Sequence, residues 1–545
     1  MDSNDCEQNF FGRQKILDLL KRRVIDLKDG YRQNVALLGN QYVGKTSILS
    51  KFLSDMEDEE ITSIYLDCGH KDFHYFFHKF TGSLLYNFSK NKQLPLHEDL
   101  DLLLESTQKL IPQSVQVVKK IRTDLSNGKF LDSFLGLLAL PEIFTNETGK
   151  FCVLVLDEFQ NLEEFPIANI FRYLGKKIMT QKRCFYIVLS SFPGIAKKIL
   201  SEKLSLLFGN FEVVAVEPFD LSSSQEFIDY NLKEIKIGAQ LRNFLTDFTG
   251  GHPLYLNLIC QEMVSLSAIH KQSEIYLPLL SQSIENSLFN RWGVISRHFE
   301  LVVNELCSAK GNRHVSLILI SLSNGKNKIE ELSKDMGIKK SLVLQKINRL
   351  LELGIVVKNG NFHYFKDKLF KYWIKYVYQK RVKDVELAPD KQKKQFKEEL
   401  NRSVENFKMS SRKDFPSRIV ELFSCFDNEA FDLNGRRYKM PFFKEIVPFK
   451  LKNENGNYFD VIKALTDDAV WFIVLKKDNF GENDVHTISL ESRKIGQKPE
   501  RCLIISLVDL DENTRLRAFQ ERFWIWNETE LNTLLTLFDK PYILR

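Results

Sequence analysis

Apolar positions along this chain fall into two patterns. Runs at 35–38 (VALL), 151–155 (FCVLV) and 184–189 (CFYIVL) carry no polar alternation, as parallel strands buried on both faces do. Strand patterns at 62–67 and 212–216 bring the number to five. Helical periods lie between them, and 97–148 reads helical and interrupts the strand order. The prediction is a five-stranded parallel sheet with helices on its faces.

Further on, residues 300–378 read helix, helix, helix, hairpin. A helix over 329–338 closes at a glycine, and 341–353 is amphipathic with Leu342, Ile347, Leu350 and Leu351 on its buried stripe. Gly354 ends it, and Asn359-Gly360 between two short apolar runs is a hairpin signal. That order is a winged helix-turn-helix. Residues 380–413 are highly charged and read as helix with a break at Pro389, bridging to a last domain. From 414 the pattern is helix, strand, strand, helix, strand, with a helix at 416–426 and strands at 458–462, 470–476 and 501–506. The domains expected are 1–220, 221–295, 296–380, the linker 381–413, and 414–545.

At 545 residues the chain is too long for one core, and 43% hydrophobic with 27% charged residues is ordinary globular composition. The start, MDSNDCEQNF, has no basic and apolar leader, and no apolar run nears the ~20 residues that span a bilayer. No membrane partner and a cytoplasmic location are therefore expected. Eight cysteines lie far apart with no CxxC pair, which argues against zinc or a disulfide framework. Charge is uneven. Residues 301–380 hold 15 Lys/Arg and 6 Asp/Glu, an excess of 9 where the whole chain carries +6.

The candidate chemistry begins at GNQYVGKTS. Gly39-Asn40-Gln41-Tyr42-Val43-Gly44-Lys45-Thr46 has the P-loop spacing, and Ser47 follows it. Glycines let successive N–H groups point at one phosphate, Lys45 reaches the β/γ-phosphates, and Thr46 offers its hydroxyl to Mg²⁺. An apolar strand before and an amphipathic helix after supply the context. The strand at 151–155 runs into Asp157-Glu158. A carboxylate there holds Mg²⁺ and the next one activates water, unless the pair merely caps a helix. The strand at 184–189 ends in Ser190-Ser191, where Ser191 can sense the γ-phosphate or cap the next helix.

Taken with Phe11-Gly12-Arg13, Val216-Glu217-Pro218-Phe219 and Thr249-Gly250-Gly251-His252-Pro253, the ordered set over 8–375 resembles the archaeal-type ATPases of the STAND branch, relatives of AAA+ proteins. The resemblance implies ATP and Mg²⁺ as ligands and slow ATP hydrolysis. It implies that Gly12 and Arg13 lie near the adenine, that Pro253 packs on the base from a helical lid, and that His252 is close to the phosphates. Arg172 and Arg183 are candidate finger arginines that the sequence cannot assign. The function implied is a nucleotide switch coupled to a winged helix and a C-terminal module.

Two further readings concern DNA. Lys339, Lys340, Lys346 and Arg349 are expected to be exposed on the second helix, with Lys358 on the wing; they would meet phosphates, or be the wet face of a packing module. The last domain resembles the restriction-endonuclease-like fold, with Asp460 and Lys476 at the expected places and Glu421 on the preceding helix. Val474 stands where a glutamate would ligate Mg²⁺, so the resemblance implies a degenerate site, with Asp478 the nearest substitute. The alternatives to a switch are thus an ATP-regulated DNA-binding protein or, further off, a Mg²⁺-dependent nuclease. A second copy or a protein partner is expected alongside ATP and DNA.

Overall fold

Continuous apolar runs become continuous buried strands in the computed structural model of the chain. It describes residues 10–56, 58–70, 72–204, 211–308, 314–383, 389–452, 458–477, 480–494, 500–508 and 510–542. They form two compact units. The first holds the residues up to Phe219 with 252–254 and 352–354, and the second holds the rest.

In the first unit, β1 (Asn34–Leu38), β2 (Ile61–Asp67), β3 (Phe151–Asp157), β4 (Cys184–Ser190) and β5 (Phe211–Ala215) form one sheet in the order β2-β3-β4-β1-β5. Every pairing is parallel. Side-chain parity sorts the core. Val35, Leu37, Val153, Val155, Phe185, Ile187 and Leu189 face the helices Gln14–Lys28 and Lys45–Ser54. Their neighbours Ala36, Leu38, Leu154, Leu156, Tyr186 and Val188 face a phenylalanine-rich layer that includes Phe73–Asn91, Pro112–Ser126 and Phe130–Thr148. The last two of these helices lie in the segment 97–148 that interrupts the strand order. The arrangement fits a P-loop NTPase α/β fold. Because all strands run the same way, the C-terminal ends of β1, β3 and β4 emerge on one edge, where ligands bind in such sheets.

In the second unit, Lys236–Ile237 (β6) and Glu274–Ile275 (β7) make a short parallel pair beside the helices Leu221–Leu232 and Ala239–Thr249. Helices Val294–Ser308, Val315–Ser323, Ile329–Met336 and Lys340–Glu352 precede an antiparallel hairpin, β8 (Val356–Asn359) and β9 (Phe362–Phe365). The buried stripe of the last helix is Val343, Ile347 and Leu350. Leu342 and Leu351 are only half-buried, because at 100° per residue they sit at the two edges of the stripe that Val343, Ile347 and Leu350 centre. Lys346 is half-buried too, rather than fully exposed.

The break expected at Pro389 is there: the helix Gln379–Lys383 lies before it, and Pro389–Arg412 starts at the proline, where its missing N–H costs nothing. The helix buries Phe396, Leu400, Val404 and Phe407, each contributing about 1.5–3 kcal/mol. Lys393 and Lys397 both pair with the buried Glu285. It is a wall of the unit, not a free linker.

After the helix Phe415–Phe423 comes a hairpin, β10 (Glu429–Leu433) and β11 (Arg436–Met440). A five-stranded sheet follows: β12 (Glu445–Lys452), β13 (Tyr458–Leu465), β14 (Val470–Lys476), β15 (Arg501–Ser506) and β16 (Trp524–Trp526). The first three are antiparallel neighbours and the last three parallel ones. β10, β11, β12 and β16 go beyond the sequence reading. Asn434-Gly435, both at positive φ (49° and 74°), is a two-residue turn signal that marks β10 and β11 in the sequence.

Candidate functional site

Gly39 leaves β1 at a place only glycine fits. A Cβ there would sit 2.3 Å from the Val216 carbonyl oxygen and 2.9 Å from Val43. The loop then turns through Tyr42 (φ 59°) and Gly44 (φ 97°) into the helix Lys45–Ser54. Val43 is buried, while Gln41, Tyr42, Thr46 and Ser47 are exposed around the mouth.

Lys45 is 5% exposed, and its Nζ donates to the Gly39 carbonyl at 2.9 Å, the Asn40 carbonyl at 2.7 Å and Ser191 Oγ at 3.0 Å. Ser191 in turn donates its amide to Glu158 Oε2 at 3.1 Å and its hydroxyl to Glu158 Oε1. Gln160 Nε2 donates to Glu158 Oε2 at 2.7 Å. On the other side, Thr46 Oγ1 donates to Asp157 Oδ2 at 3.2 Å, and Tyr65 OH donates to the same oxygen at 2.8 Å. One network therefore joins the loop to the ends of β3 and β4. Glu158 holds a left-handed backbone (φ 51°), uncommon for a side-chain-bearing residue and typical of functional loops.

Burial raises the Asp157 carboxyl above its ordinary range, and the nearby Glu158 and Asp67 add to this; Tyr65 and Thr46 pull the other way. Asp67 lies beside Asp157 in the sheet register. Burial also raises the Tyr65 hydroxyl, which stays a donor. Thr46 and Asp157 are hard oxygens close enough to share one cation. A cation would offset the buried charge, and Mg²⁺ is normally held by one or two protein oxygens together with phosphates.

A pH dependence follows. With the folded pKa raised, the charged form of Asp157 costs stability, fully so above the raised pKa. Below the ordinary carboxylate range both folded and unfolded chains bind the proton and the cost vanishes. Without Mg²⁺ and nucleotide, Asp157→Asn is expected to melt at or above wild type at pH 8, with the gap closing as pH falls to 4. A lower melting point for the variant at pH 8 would contradict this.

Beneath the loop, Gly12 (φ 66°) and Arg13 (φ 64°) are consecutive left-handed residues. The Arg13 guanidinium lies over the Phe219 ring, 4.7 Å from its centroid, and donates to the Glu217 carbonyl, with Val43 O at 3.5 Å. Phe11 meets Phe219 edge-on at 5.9 Å. The first box and the exit of β5 thus form a clip under the loop. His252 Nε2 lies 3.1 Å from the Gln41 carbonyl, so the proton sits on Nε2. Pro253 opens the next helix. Arg183 donates to the Gly149 carbonyl at 2.9 Å at the opposite end of β3, away from the network. Tyr65, Gln160, Glu217 and Phe219 complete the network and the clip. Of these, only the Val216–Phe219 stretch carried a signal in the sequence.

In the second unit, Lys339, Lys340, Arg349 and Lys358 are exposed, and Lys340 pairs with Glu330 at 2.6 Å. Ser341, Gln345 and Asn348 share the exposed face of the Lys340–Glu352 helix. The hairpin tip is not open. Asn359 Nδ2 donates to the Asp432 carbonyl at 2.9 Å and its Oδ1 accepts from the Asp432 amide at 2.6 Å. The Asn361 amide donates to the Ala430 carbonyl at 3.1 Å, and Lys328 pairs with the buried Glu429 at 2.6 Å.

The C-terminal sheet separates the residues of the expected degenerate nuclease site. β13 and β14 are neighbours, but Asp460 pairs in register with Leu475 and lies on the Ile462 and Leu475 face. Lys476 lies on the opposite face with Val474 and Phe472, its Nζ 5.2 Å from the Phe459 ring centroid. Alternation with a period of two keeps Lys476 from assisting a water on a cation held by Asp460. Glu421 pairs with Lys413 and is partly exposed. Asp478 lies outside the described residues.

No protein-family model and no curated protein matches the chain. Among solved structures it is similar to a Walker-type ATPase of Pyrococcus abyssi, at 15% identity and a TM-score of 0.49 over 67% of this chain and 96% of that one. It is also similar to the ORC2 protein of Aeropyrum pernix, at 12% identity and a TM-score of 0.43 over 74% and 98%. The RuvB Holliday junction branch migration motor of Thermotoga maritima gives 12% identity and 0.33 over 67% and 96%. These likenesses are distant, so function has to be read from the residues themselves. Among the described residues no helix is long and apolar enough to cross a membrane.

Proposed function

We propose that the chain binds and hydrolyses ATP with Mg²⁺ and acts as a nucleotide-dependent switch. The observation that carries this reading is the continuous network from Lys45 through Ser191 to Glu158 and from Thr46 to Asp157, built at the ends of three parallel strands. Lys45 would turn from its loop carbonyls to the β/γ-phosphates, supplying a buried positive charge. Thr46 and Asp157 would hold Mg²⁺, which neutralises charge on the phosphates. Glu158 would orient a water and take its proton once it lets go of Ser191, and Ser191, freed, would face the γ-phosphate. Breaking and remaking that hydrogen bond links the third phosphate to the loop after β4, the kind of local change that drives switching. Gly12, Arg13, His252 and Pro253 complete the proposed nucleotide site. Neither Arg172 nor Arg183 bonds into the network among the interactions described, so a finger arginine would come from a second copy or a partner.

The Glu158→Gln variant tests the chemistry apart from binding. It keeps shape and hydrogen-bonding capacity but cannot take a proton. Hydrolysis is expected to fall by about 10²–10⁴-fold, while ATP affinity stays within about threefold of wild type. Turnover at the wild-type rate would remove Glu158 from the reaction.

The docked hairpin tip favours using the winged helix as a packing module. DNA, if bound, would be read by the exposed helix face bearing Lys339, Lys340 and Arg349, with Lys346 less available, and not through Lys358 on a free wing.

A further inference from the structure

The second unit contains a cavity of about 420 Å³ apart from the proposed nucleotide site. It lies among the helix Ala239–Thr249, the turns at 368–378, the helix Pro389–Arg412 and the segment 536–541. Its volume is within the range of about 300–1,000 Å³ common for small-molecule sites.

The wall at 368–376 is unusual for an inward face. Lys368, Lys371, Tyr372, Lys375 and Tyr376 follow helical spacing and all line the cavity. A packing face of that spacing would be leucine or phenylalanine, because burying ammonium groups is costly unless each is paired. Lys368 pairs with Asp247 at 2.9 Å and Lys371 with Asp539. Lys375 lies along the Tyr376 ring, 5.1 Å from its centroid, and Lys540 stands at the wall opposite. Among the described residues four lysines therefore line the cavity against two carboxylates, Asp247 and Asp539.

The remaining wall mixes rings with small polar side chains, among them Ser403, Asn406 and Ser410. Phe244 and Phe248 stack at 5.2 Å, Phe248 meets Tyr372 edge-on at 4.8 Å, and Tyr372 meets Tyr376 at 4.5 Å. The Tyr372 hydroxyl is buried beside Ser403, which donates to the Glu399 carbonyl at 2.9 Å.

Excess positive charge and flat rings in one cavity ask for one kind of occupant. We propose that the cavity binds a small planar anion, an aromatic or nucleobase ring bearing a phosphate or carboxylate. Lys375, Lys540 and Lys371 take the anionic group, and the rings of Phe248 and Tyr376 flank the planar part. Such a ligand would bridge the segment 536–541 and the helices on either side of the cavity. The proposal does not depend on the nucleotide site.

The test uses the full chain carrying Lys45→Ala, so that the P-loop does not compete. Guanosine monophosphate, 1-naphthoate and guanosine are titrated by calorimetry at low salt; the first two separate phosphate from carboxylate as the anion. At least one anion is expected to bind at one site per chain, with guanosine at least tenfold weaker than guanosine monophosphate. Lys375→Gln, which breaks no ion pair among the described residues, is expected to weaken the bound anion about tenfold, with the melting point unchanged. Lys375→Arg should restore binding. Absence of binding by both anions, equal binding of guanosine, or indifference to Lys375→Gln overturns the proposal.

Discussion

Lys45→Ala is expected to lower ATP affinity by about 10²–10³-fold while leaving the chain folded. The ammonium is buried, and in a dry site a charge-assisted contact to phosphate is worth more than in water. Removing one partner of such a buried pair costs about 2–5 kcal/mol, and each 1.4 kcal/mol is a factor of ten. Without ATP the side chain binds two loop carbonyls and Ser191, so its loss also loosens the loop. Those carbonyls lie next to exposed Gln41 and Tyr42, where water can replace the ammonium. The melting point should therefore move little. Calorimetric titration and a thermal melt on one preparation separate the two effects. A variant that has lost both binding and fold would say nothing about phosphate, and Lys45→Met then serves as the control, filling the volume without the charge.

The second large effect is expected at the hairpin tip. Gly360 has φ +57°, and a Cβ there would lie 2.0 Å from the Ala430 carbonyl oxygen. Gly360→Val adds left-handed strain of about 1–2 kcal/mol to a backbone clash of about 1–3 kcal/mol. The Asn359 bonds to Asp432 would be lost as the tip lifts, so destabilisation of about 3–5 kcal/mol is expected. Hydrogen exchange at 429–433 should rise, and limited proteolysis should find the hairpin at 429–440. Asn359→Ala should act in the same direction with about half the effect. An unchanged melt and unchanged exchange in Gly360→Val would contradict the docked tip. The same variant separates the two roles open to the proposed winged helix. If duplex DNA binds, and binding needs Lys339, Lys340 and Arg349 whether or not the tip is docked, the helix face is the reader.

The site's skeleton was legible because its parts are local. A P-loop is one contiguous stretch, and Asp157 and Ser190 close apolar runs whose length and lack of alternation mark buried strands. The sheet followed from the same runs. What the pattern could not supply is long-range. Tyr65 reaches Asp157 from a neighbouring strand, and Arg13 reaches Glu217 across some two hundred positions. Nothing in the local sequence marks Tyr65, and the stretches 11–13 and 216–219, although each carries a signal, do not say that they meet. Asp460 and Lys476 show a different obstacle. β14 is apolar on both faces, so its sequence does not say which way Lys476 points. Only the register with β13, which pairs Asp460 with Leu475, reveals that the two side chains diverge. The buried stripe of the Lys340–Glu352 helix was misplaced for a related reason. Apolar residues outnumber those the core takes, and only the tertiary neighbours decide that Val343 rather than Leu342 lies on the buried stripe.

The proposed switch rests on a break between Ser191 and Glu158. Both oxygens of Glu158 are held by Ser191 and Gln160, so water activation requires the carboxylate to move. Lys45 shares Ser191, and a phosphate that draws the ammonium outward weakens the same contact from the other side. Nucleotide binding and preparation of the base are in this way one event.

The central claim, that a nucleotide lies against Lys45 with its metal between Thr46 and Asp157, is tested most directly by titrating ATP into wild type, Lys45→Ala and Asp157→Ala with and without Mg²⁺. The account predicts tight binding to wild type that Mg²⁺ strengthens, loss of at least a hundredfold in Lys45→Ala, and loss of the Mg²⁺ effect in Asp157→Ala. Equal affinity for wild type and Lys45→Ala, or a Mg²⁺ effect that survives Asp157→Ala, would contradict it.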